Sequence, residues 1–432
     1  MSAAHANNLT NAGLILAAPS SGSGKTTITL GVLRALKNRG VAVRSAKSGP
    51  DYIDPGFHSA ATGVPCLNLD AWAMTPKRIK ALAADQTPLL IEGAMGLFDG
   101  APPKGKGATA DLARILALPV VLIVDSAKQA QSIAPLVQGF ATFDAKVKIA
   151  AVILNNIGSA RHEKMLRDAL VPTGVPVLGA ISRQPNLAHP SRHLGLVQAA
   201  ERHDLQDYLE AVAAVMDASV DITALMALMS PLPSSTRPTP IKPPAQRIAV
   251  ARDTAFGFIY PHLLDGWHAA GASLSFFSPL ADEAPGAADL IYLPGGYPEL
   301  YAARLAGNSN FMNGLRNAAK STQIYGECGG YMVLGDGLVD AAGHRHQMAG
   351  LLRLETSFAA RKLHLGYRRL TPVSGLWTRP LLGHEFHYAS TLKREGQTLF
   401  KATNAEGDTL PDMGLINGNV CGSFAHMIDS AK

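Results

Sequence analysis

The sequence predicts an α/β chain of two domains, each built on a largely parallel sheet. Three observations carry that prediction. Strand-like runs such as "GLILAAP", "PLLIEGA", "PVVLIVDS" and "KIAAVILNN" are apolar throughout rather than alternating, as strands buried on both faces are. Between them lie amphipathic or alanine-rich stretches such as "TTITLGVLRALKNRG", which supply the helical crossovers that parallel strands need. At Ser230 the pattern stops: "PLPSSTRPTPIKPPAQR" holds six prolines and no apolar period, and a second alternation begins with "RIAVARD". The expected organisation is a first domain over 1–230, a proline-rich linker over 231–246 and a second domain over 247–432.

In chain order, the first strand runs into "SSGSGKTT" and the helix behind it. There Gly22, Gly24, Lys25, Thr26 and Thr27 are placed to cradle phosphate with backbone N–H groups, to reach terminal phosphates with the lysine and to ligate Mg²⁺ through the Thr26 hydroxyl. Pro19 stands where the usual GxxxxGK[ST] pattern has its first glycine, so the strict motif fails. The next strand, "VAVRSAK", is followed by Asp51 and Asp54 in "KSGPDYIDPGFH", and "PLLIEGA" brings Glu92 to its end, with Asp99 further on. Asp51 and Glu92 fall where the C-terminal edge of a parallel sheet presents oxygen ligands to Mg²⁺. Asp54 and Asp99 suit turns and caps equally well, and Asp125, closing "PVVLIVDS", is a weaker metal candidate. Asn155 and Asn156, after "AAVIL", suit either an adenine edge or a turn. No Asp-x-x-Gly switch follows "VLIVD", which argues against a GTPase. ATP is the expected nucleotide; the acceptor of its phosphoryl group stays open at this point.

Past the linker, a helix over about Phe258 to Ala270 and the strand "SLSFFSP" lead to "ADLIYLPGG" and then to "YGECGGYMVLG". Gly-x-Cys-x-Gly between a strand and a helix is the thiol form of a nucleophile elbow, with glycines relieving the bend and the helix N-terminus favouring the thiolate of Cys328. The N–H of Gly329 and one from the second glycine loop, at Gly296, are the expected oxyanion donors. For a base, "NVCGSFAHMIDS" presents His426 at the end of a short apolar strand; His384 and His387 of "GHEFHYA" are its rivals.

Composition narrows the function class. The 432 residues are 47% hydrophobic, and three cysteines, Cys66, Cys328 and Cys421, are too few and scattered for a disulfide framework or a zinc knuckle. The start "MSAAHANNLTNAG" has neither a basic nor an apolar signal region, and no run of 18 apolar residues follows, so a cytoplasmic, membrane-free protein is expected. The net charge of +6, from 39 Lys and Arg against 33 Asp and Glu, is dispersed with few aromatics between, which argues against nucleic acid and suits an anionic small substrate.

With "PSSGSGKTT", "KSGPDYIDPGFH", "EGAMGLFDG", "LPGGYPE", "GECGGYMVLG", "HLGYR" and "GHEFHY" in this order, the chain resembles the cobyrinic or hydrogenobyrinic acid a,c-diamide synthases, glutamine-dependent enzymes of corrin biosynthesis. The resemblance implies a P-loop domain similar to dethiobiotin synthetase, followed by a class I glutamine amidotransferase-like domain. It implies that ATP phosphorylates the a- and c-acetate carboxylates of a tetrapyrrole polycarboxylate, and that ammonia from L-glutamine then displaces phosphate. Carried over by motif, Cys328 is the nucleophile, His426 its base, and Lys25, Thr26, Asp51 and Glu92 are phosphate and Mg²⁺ ligands. Arg183, Arg192, His193, His364, Tyr367 and Arg368 are candidates for holding carboxylates that must not react. Chain length and general appearance favour the cobalt-free macrocycle. Two departures stand out. His426 is followed by Met427 and Ile428, where many class I amidotransferases have a Glu two residues on, so Asp429, Glu385 or no third member completes the site. Ser20 replaces a signature Lys of some deviant P-loops, which argues against a lysine-exchanging dimeric ATPase. A homodimer is the default expectation for assembly. The rival readings are a P-loop ATPase fused to a cysteine hydrolase and a nucleotide-sensing scaffold.

Overall fold

In the computed structural model, Ala12–Ala17 forms β1 with every residue buried, the burial its unbroken apolar run predicts. The structure describes residues 10–184, 191–192, 195–196, 198–234 and 241–431. The chain divides into two units, Met1–Pro238 and Thr239–Lys432, which meet inside the proline-rich segment.

The first unit is a sheet of parallel strands: β1, β2 (Arg44–Ser48), β3 (Leu67–Leu69), β4 (Leu89–Glu92), β5 (Val120–Asp125), β6 (Ile149–Ile157) and β7 (Val177–Ser182) in the order β3-β2-β4-β1-β5-β6-β7. The chain moves to one side of β1 for β2 to β4 and to the other for β5 to β7. That reversal opens a crevice at the C-terminal ends of the strands beside β1. Helix α1 (Lys25–Asn38) starts in that crevice, and its N-cap, Gly24, has φ +88. A Cβ there would overlap the Asn155 side chain, so only glycine fits. Ser230–Pro231 adds an antiparallel strand, β8, on the N-terminal end of β1, and Leu232 next to it is buried. Ordered pairing thus extends two residues past the point where the apolar period ends.

In the second unit, β9 (Arg247–Ala251), β10 (Ser273–Phe277), β11 (Leu290–Leu293), β12 (Gln323–Glu327), β13 (His364–Pro372), β14 (Leu381–His387), β15 (Gln397–Thr403), β16 (Thr409–Asn417), β17 (Val420–Ser423) and β18 (Ala425–Ser430) form one sheet in the order β10-β9-β11-β12-β17-β16-β15-β13-β14-β18. Pairing is parallel from β10 to β17 and antiparallel beyond. Only Phe424 separates β17 from β18 in sequence, although they lie five positions apart in the sheet. The antiparallel half must therefore curl back, and it does: the Met427 N–H on β18 donates to Glu327 at the end of β12 (3.1 Å). A smaller four-stranded sheet, which includes Gly337–Val339 and Ser390–Glu395, flanks this one. Among the described residues, no helix is long and apolar enough to cross a membrane.

Candidate active sites

The first unit holds a cavity of about 840 Å³ in the crevice, with Gly22, Gly24, Lys25, Thr26 and Thr27 on its wall. Lys25 donates to the Ser20 carbonyl (3.2 Å), and burial, then the neighbouring Lys47, pulls its pKa down. At the floor, the Thr26 hydroxyl donates to Glu92 Oε1 (2.7 Å) and lies 3.3 Å from Asp54 Oδ2. Lys47, at the end of β2, bridges the same two oxygens, at 2.5 Å from Asp54 and 2.6 Å from Glu92. Burial alone would lower the Lys47 pKa, but Asp54 and Glu92 hold it well above its ordinary value. Glu92 is fully buried, and against that burial Lys47 and His58 hold it far below the usual carboxylate range. Its other oxygen, Oε2, is 2.6 Å from His58 Nε2, and His58 Nδ1 faces Cys66 Sγ at 3.6 Å. Cys66 and Glu92 push His58 up to about 10 against burial.

A threonine hydroxyl and two buried carboxylates are the hard oxygen donors that Mg²⁺ takes, so this donor set fits that ion. Asp51 also lines the cavity, but its Oδ1 accepts from the Ile53 and Asp54 N–H groups and shapes the turn into the helix Asp54–Thr62. Asp54, which the sequence left between cap and ligand, is the acid that meets Thr26 and Glu92. Asn155 lines the same cavity and donates to the Ser23 carbonyl (2.9 Å), so its amide braces the phosphate loop. Asn156 and Asp125 bond to each other (2.9 Å), and Asp99 accepts from the Gly96 N–H. Arg183 sits exposed on the cavity rim. Arg192 ends the first strand of a short hairpin, Ser191–Arg192 with Gly195–Leu196; its side chain and all of His193 lie outside the described residues.

In the second unit Cys328 has φ +47 and ψ −105 and caps a one-turn helix, Gly329–Val333. Such a backbone costs about 1–3 kcal/mol. Tyr331, Met332, Val333 and Leu334 follow it into the core, each burial contributing about 1.5–3 kcal/mol, so packing outweighs the strain. The Cys328 N–H donates to the Ser423 carbonyl (2.8 Å), and Sγ lies 4.0 Å from the Phe386 carbonyl oxygen. The expected stabilisation of a thiolate by the helix N-terminus does not prevail. Burial, then Glu299, pushes the thiol strongly up, and the opposing bond from the Gly329 N–H is too little. Burial thus favours the neutral thiol at Cys328.

The two glycine loops touch: a Cβ on Gly329 would stand 3.1 Å from Gly296 N, and the Gly330 N–H donates to the Pro294 carbonyl (3.1 Å). A Cβ on Gly295 would overlap the His426 ring, so this loop lies against both the elbow and the histidine. His426 is 1% exposed; burial, then His384 and His387, lowers it to about 3, and its ring bonds to the Phe258 backbone. It is neutral near pH 7, as a base must be. His384 pairs with it in register and is lowered to about 4 by burial and Arg368, whereas His387 is held by Glu385 Oε1 (3.0 Å).

Sequence reasoning missed Lys47, His58 and Glu327. Glu327 Oε2 is 4.0 Å from His426 Nδ1 and accepts from Tyr292 Oη (2.7 Å). Of the third members the sequence offered, Glu385 is clamped by the Arg368 guanidinium, Nε and Nη2 each at 2.8 Å. His364, Arg368, Glu385 and His387 line a second cavity of about 270 Å³, with Tyr331 and Phe424. Tyr367 instead packs edge-on against His384, centroids 5.2 Å apart.

Comparison with known proteins adds the chain's relationships. Residues 14–197 match the CobQ/CobB/MinD/ParA nucleotide binding domain and residues 247–432 the CobB/CobQ-like glutamine amidotransferase domain. The hydrogenobyrinate a,c-diamide synthase of Brucella abortus biovar 1 is 58% identical over 429 residues, covering 96% of this chain and 98% of that protein. That of a Sinorhizobium species is 52% identical (97% and 99% covered), and that of Mesorhizobium japonicum 48% identical (98% and 100% covered).

Proposed function

Because the chain belongs to the hydrogenobyrinate a,c-diamide synthase family, we propose that it uses ATP, Mg²⁺ and L-glutamine to convert the a- and c-acetate carboxylates of cobalt-free hydrogenobyrinic acid to amides. It is a glutamine-hydrolysing carbon–nitrogen ligase with a nucleotide-binding domain, acting on a corrin-type precursor. The observation that carries the finer reading is near-full-length identity of 48–58% to relatives named for that substrate.

A carboxylate is a poor electrophile because oxide must leave. Transfer of the terminal phosphoryl group of ATP to the carboxylate oxygen makes phosphate the leaving group. Ammonia then attacks the carbonyl carbon, and the C–O bond to phosphate breaks to leave the amide. The amides of the Gly22–Gly24 loop hold phosphate, and Lys25 neutralises its terminal charge. Thr26, Asp54 and Glu92 would hold Mg²⁺, with Asp51 at the rim; the ion supplies charge neutralisation at the phosphates. Arg183, and in the second unit His364, Tyr367 and Arg368, are candidates for carboxylates of the macrocycle, as is Arg192.

In the glutaminase unit, Cys328 Sγ attacks the glutamine amide carbon while His426 takes the thiol proton. N–H groups of Gly296 and Gly329 face the oxyanion. His426 returns the proton to the leaving nitrogen, ammonia departs, and water hydrolyses the thioester to glutamate and free thiol. The test is to supply ATP, Mg²⁺ and glutamine with hydrogenobyrinic acid or with cobyrinic acid and to follow the diamide by mass. A higher kcat/KM on the cobalt-free acid is expected; the reverse preference overturns the substrate assignment.

A further inference from the structure

We propose that Glu327, the residue immediately before the nucleophile, is the carboxylate that orients His426 and balances its charge during glutamine hydrolysis. The inference rests on the reading of Cys328 and His426 as the glutaminase pair and adds a positioning residue to it.

The usual place for that carboxylate, two residues after the histidine, is taken by Ile428, which is fully buried and whose carbonyl bonds to His262 (2.8 Å). Asp429 lies beyond a register shift in the β14–β18 pairing, and its Oδ1 accepts the Ser430 N–H (2.8 Å). Glu385 is committed to Arg368 and His387. Glu327 is 2% exposed, and its two oxygens are pinned from both sides. Oε1 accepts the Met427 N–H (3.1 Å) on the strand that carries His426, and Oε2 accepts the Tyr292 hydroxyl (2.7 Å) while lying 4.0 Å from His426 Nδ1. One side chain thus ties the residue next to the nucleophile to the residue next to the base. The Phe258 backbone bonds the same imidazole, so Glu327 is its charged partner and not its sole anchor.

The chemistry calls for such a charge. Taking the proton of a buried thiol turns His426 into a buried imidazolium, which needs a nearby anion. The groups that act on Glu327 are Tyr292 from β11, Tyr325 from its own strand and the Met427 N–H from β18; those that act on His426 are His384, His387 and Glu385 from β14. None of the groups acting on Glu327 is a Lys or Arg, and burial raises its pKa to about 7. Glu327 therefore ionises near neutrality, and glutamine use should rise as pH rises through that value.

Glu327→Gln keeps the shape and removes the charge. Expected are a fall in kcat/KM for glutamine of about 10²-fold or more, loss of the ascending limb near pH 7, unchanged ammonia-dependent amidation, and partial recovery in Glu327→Asp. A Gln variant with glutamine kcat/KM within threefold of the parent and the limb intact overturns the proposal. Should Glu327→Gln lose ammonia-dependent amidation as well, it has lost its fold, and Tyr292→Phe decides: removing that hydrogen bond raises the Glu327 pKa, so the limb must move to higher pH, and an unmoved limb overturns the assignment. A parent enzyme that hydrolyses no glutamine would instead sink the underlying reading.

Discussion

Lys47 shows how one side chain can hold two buried acids together. Its ammonium, 5% exposed, sits between Asp54 and Glu92, and removing one partner of a buried ion pair costs about 3–5 kcal/mol. Lys47→Met should therefore lower the melting temperature of the first unit by roughly 6–20 °C. Mg²⁺ should restore part of that loss, because the two carboxylates then have a cation to bind. Thermal denaturation with and without Mg²⁺ reads both effects; a variant that melts like the parent would show that the cluster is solvated. The acid side has a definite sign. Glu92 is held below its ordinary 4.5, so its pairing contributes in full above that pH and is lost as pH falls towards its folded value.

At the scale of elements, the β14–β18 ladder puts His384 opposite His426, both buried and both lowered. A histidine whose folded pKa is depressed binds its proton more readily in the unfolded chain. Its contribution is whole above about pH 6.5 and shrinks as pH falls towards the folded value. Glu327, raised to about 7, acts in the opposite sense between 4.5 and 7. The parent slope is a sum, and the informative quantity is a difference. His384→Gln should flatten the fall in stability between pH 6 and 5 by about 1.4 kcal/mol per pH unit, measured by denaturant titration; an unchanged slope would place the His384 ring in water. These strands were also the hardest to read. The parallel strands and the glycine loops were legible because unbroken apolar runs and Gly-Lys-Thr or Gly-x-Cys-x-Gly punctuation are local signals. Residues of "HLGYRRLTP" mix exposed and buried positions, and their pairing with "LLGHEFH" depends on a curl set by distant strands. Lys47 did leave a trace, a lysine within a strand otherwise buried. Glu327 left none, since its partners Tyr292 and Met427 come from strands distant in the sequence.

For the molecule as a whole, two chemistries occupy two units, and each unit carries its own buried charge arrangement. The phosphate loop with Lys25 lies in the first unit, and the elbow with Cys328 lies in the second. The two functions should therefore separate by mutation in an asymmetric way. Cys328→Ser should cut glutamine-dependent amidation by at least about 10³-fold while added ammonium salt supports amidation at the parent rate. Lys25→Ala should abolish amidation with either nitrogen source, since phosphate charge is left uncompensated whichever nucleophile arrives. Steady-state assays of both variants with glutamine and with ammonium salt, alongside thermal denaturation, test this directly. Loss of both activities in a well-folded Cys328→Ser would make the elbow a structural feature, and ammonia-dependent turnover in Lys25→Ala would remove the lysine from phosphoryl transfer.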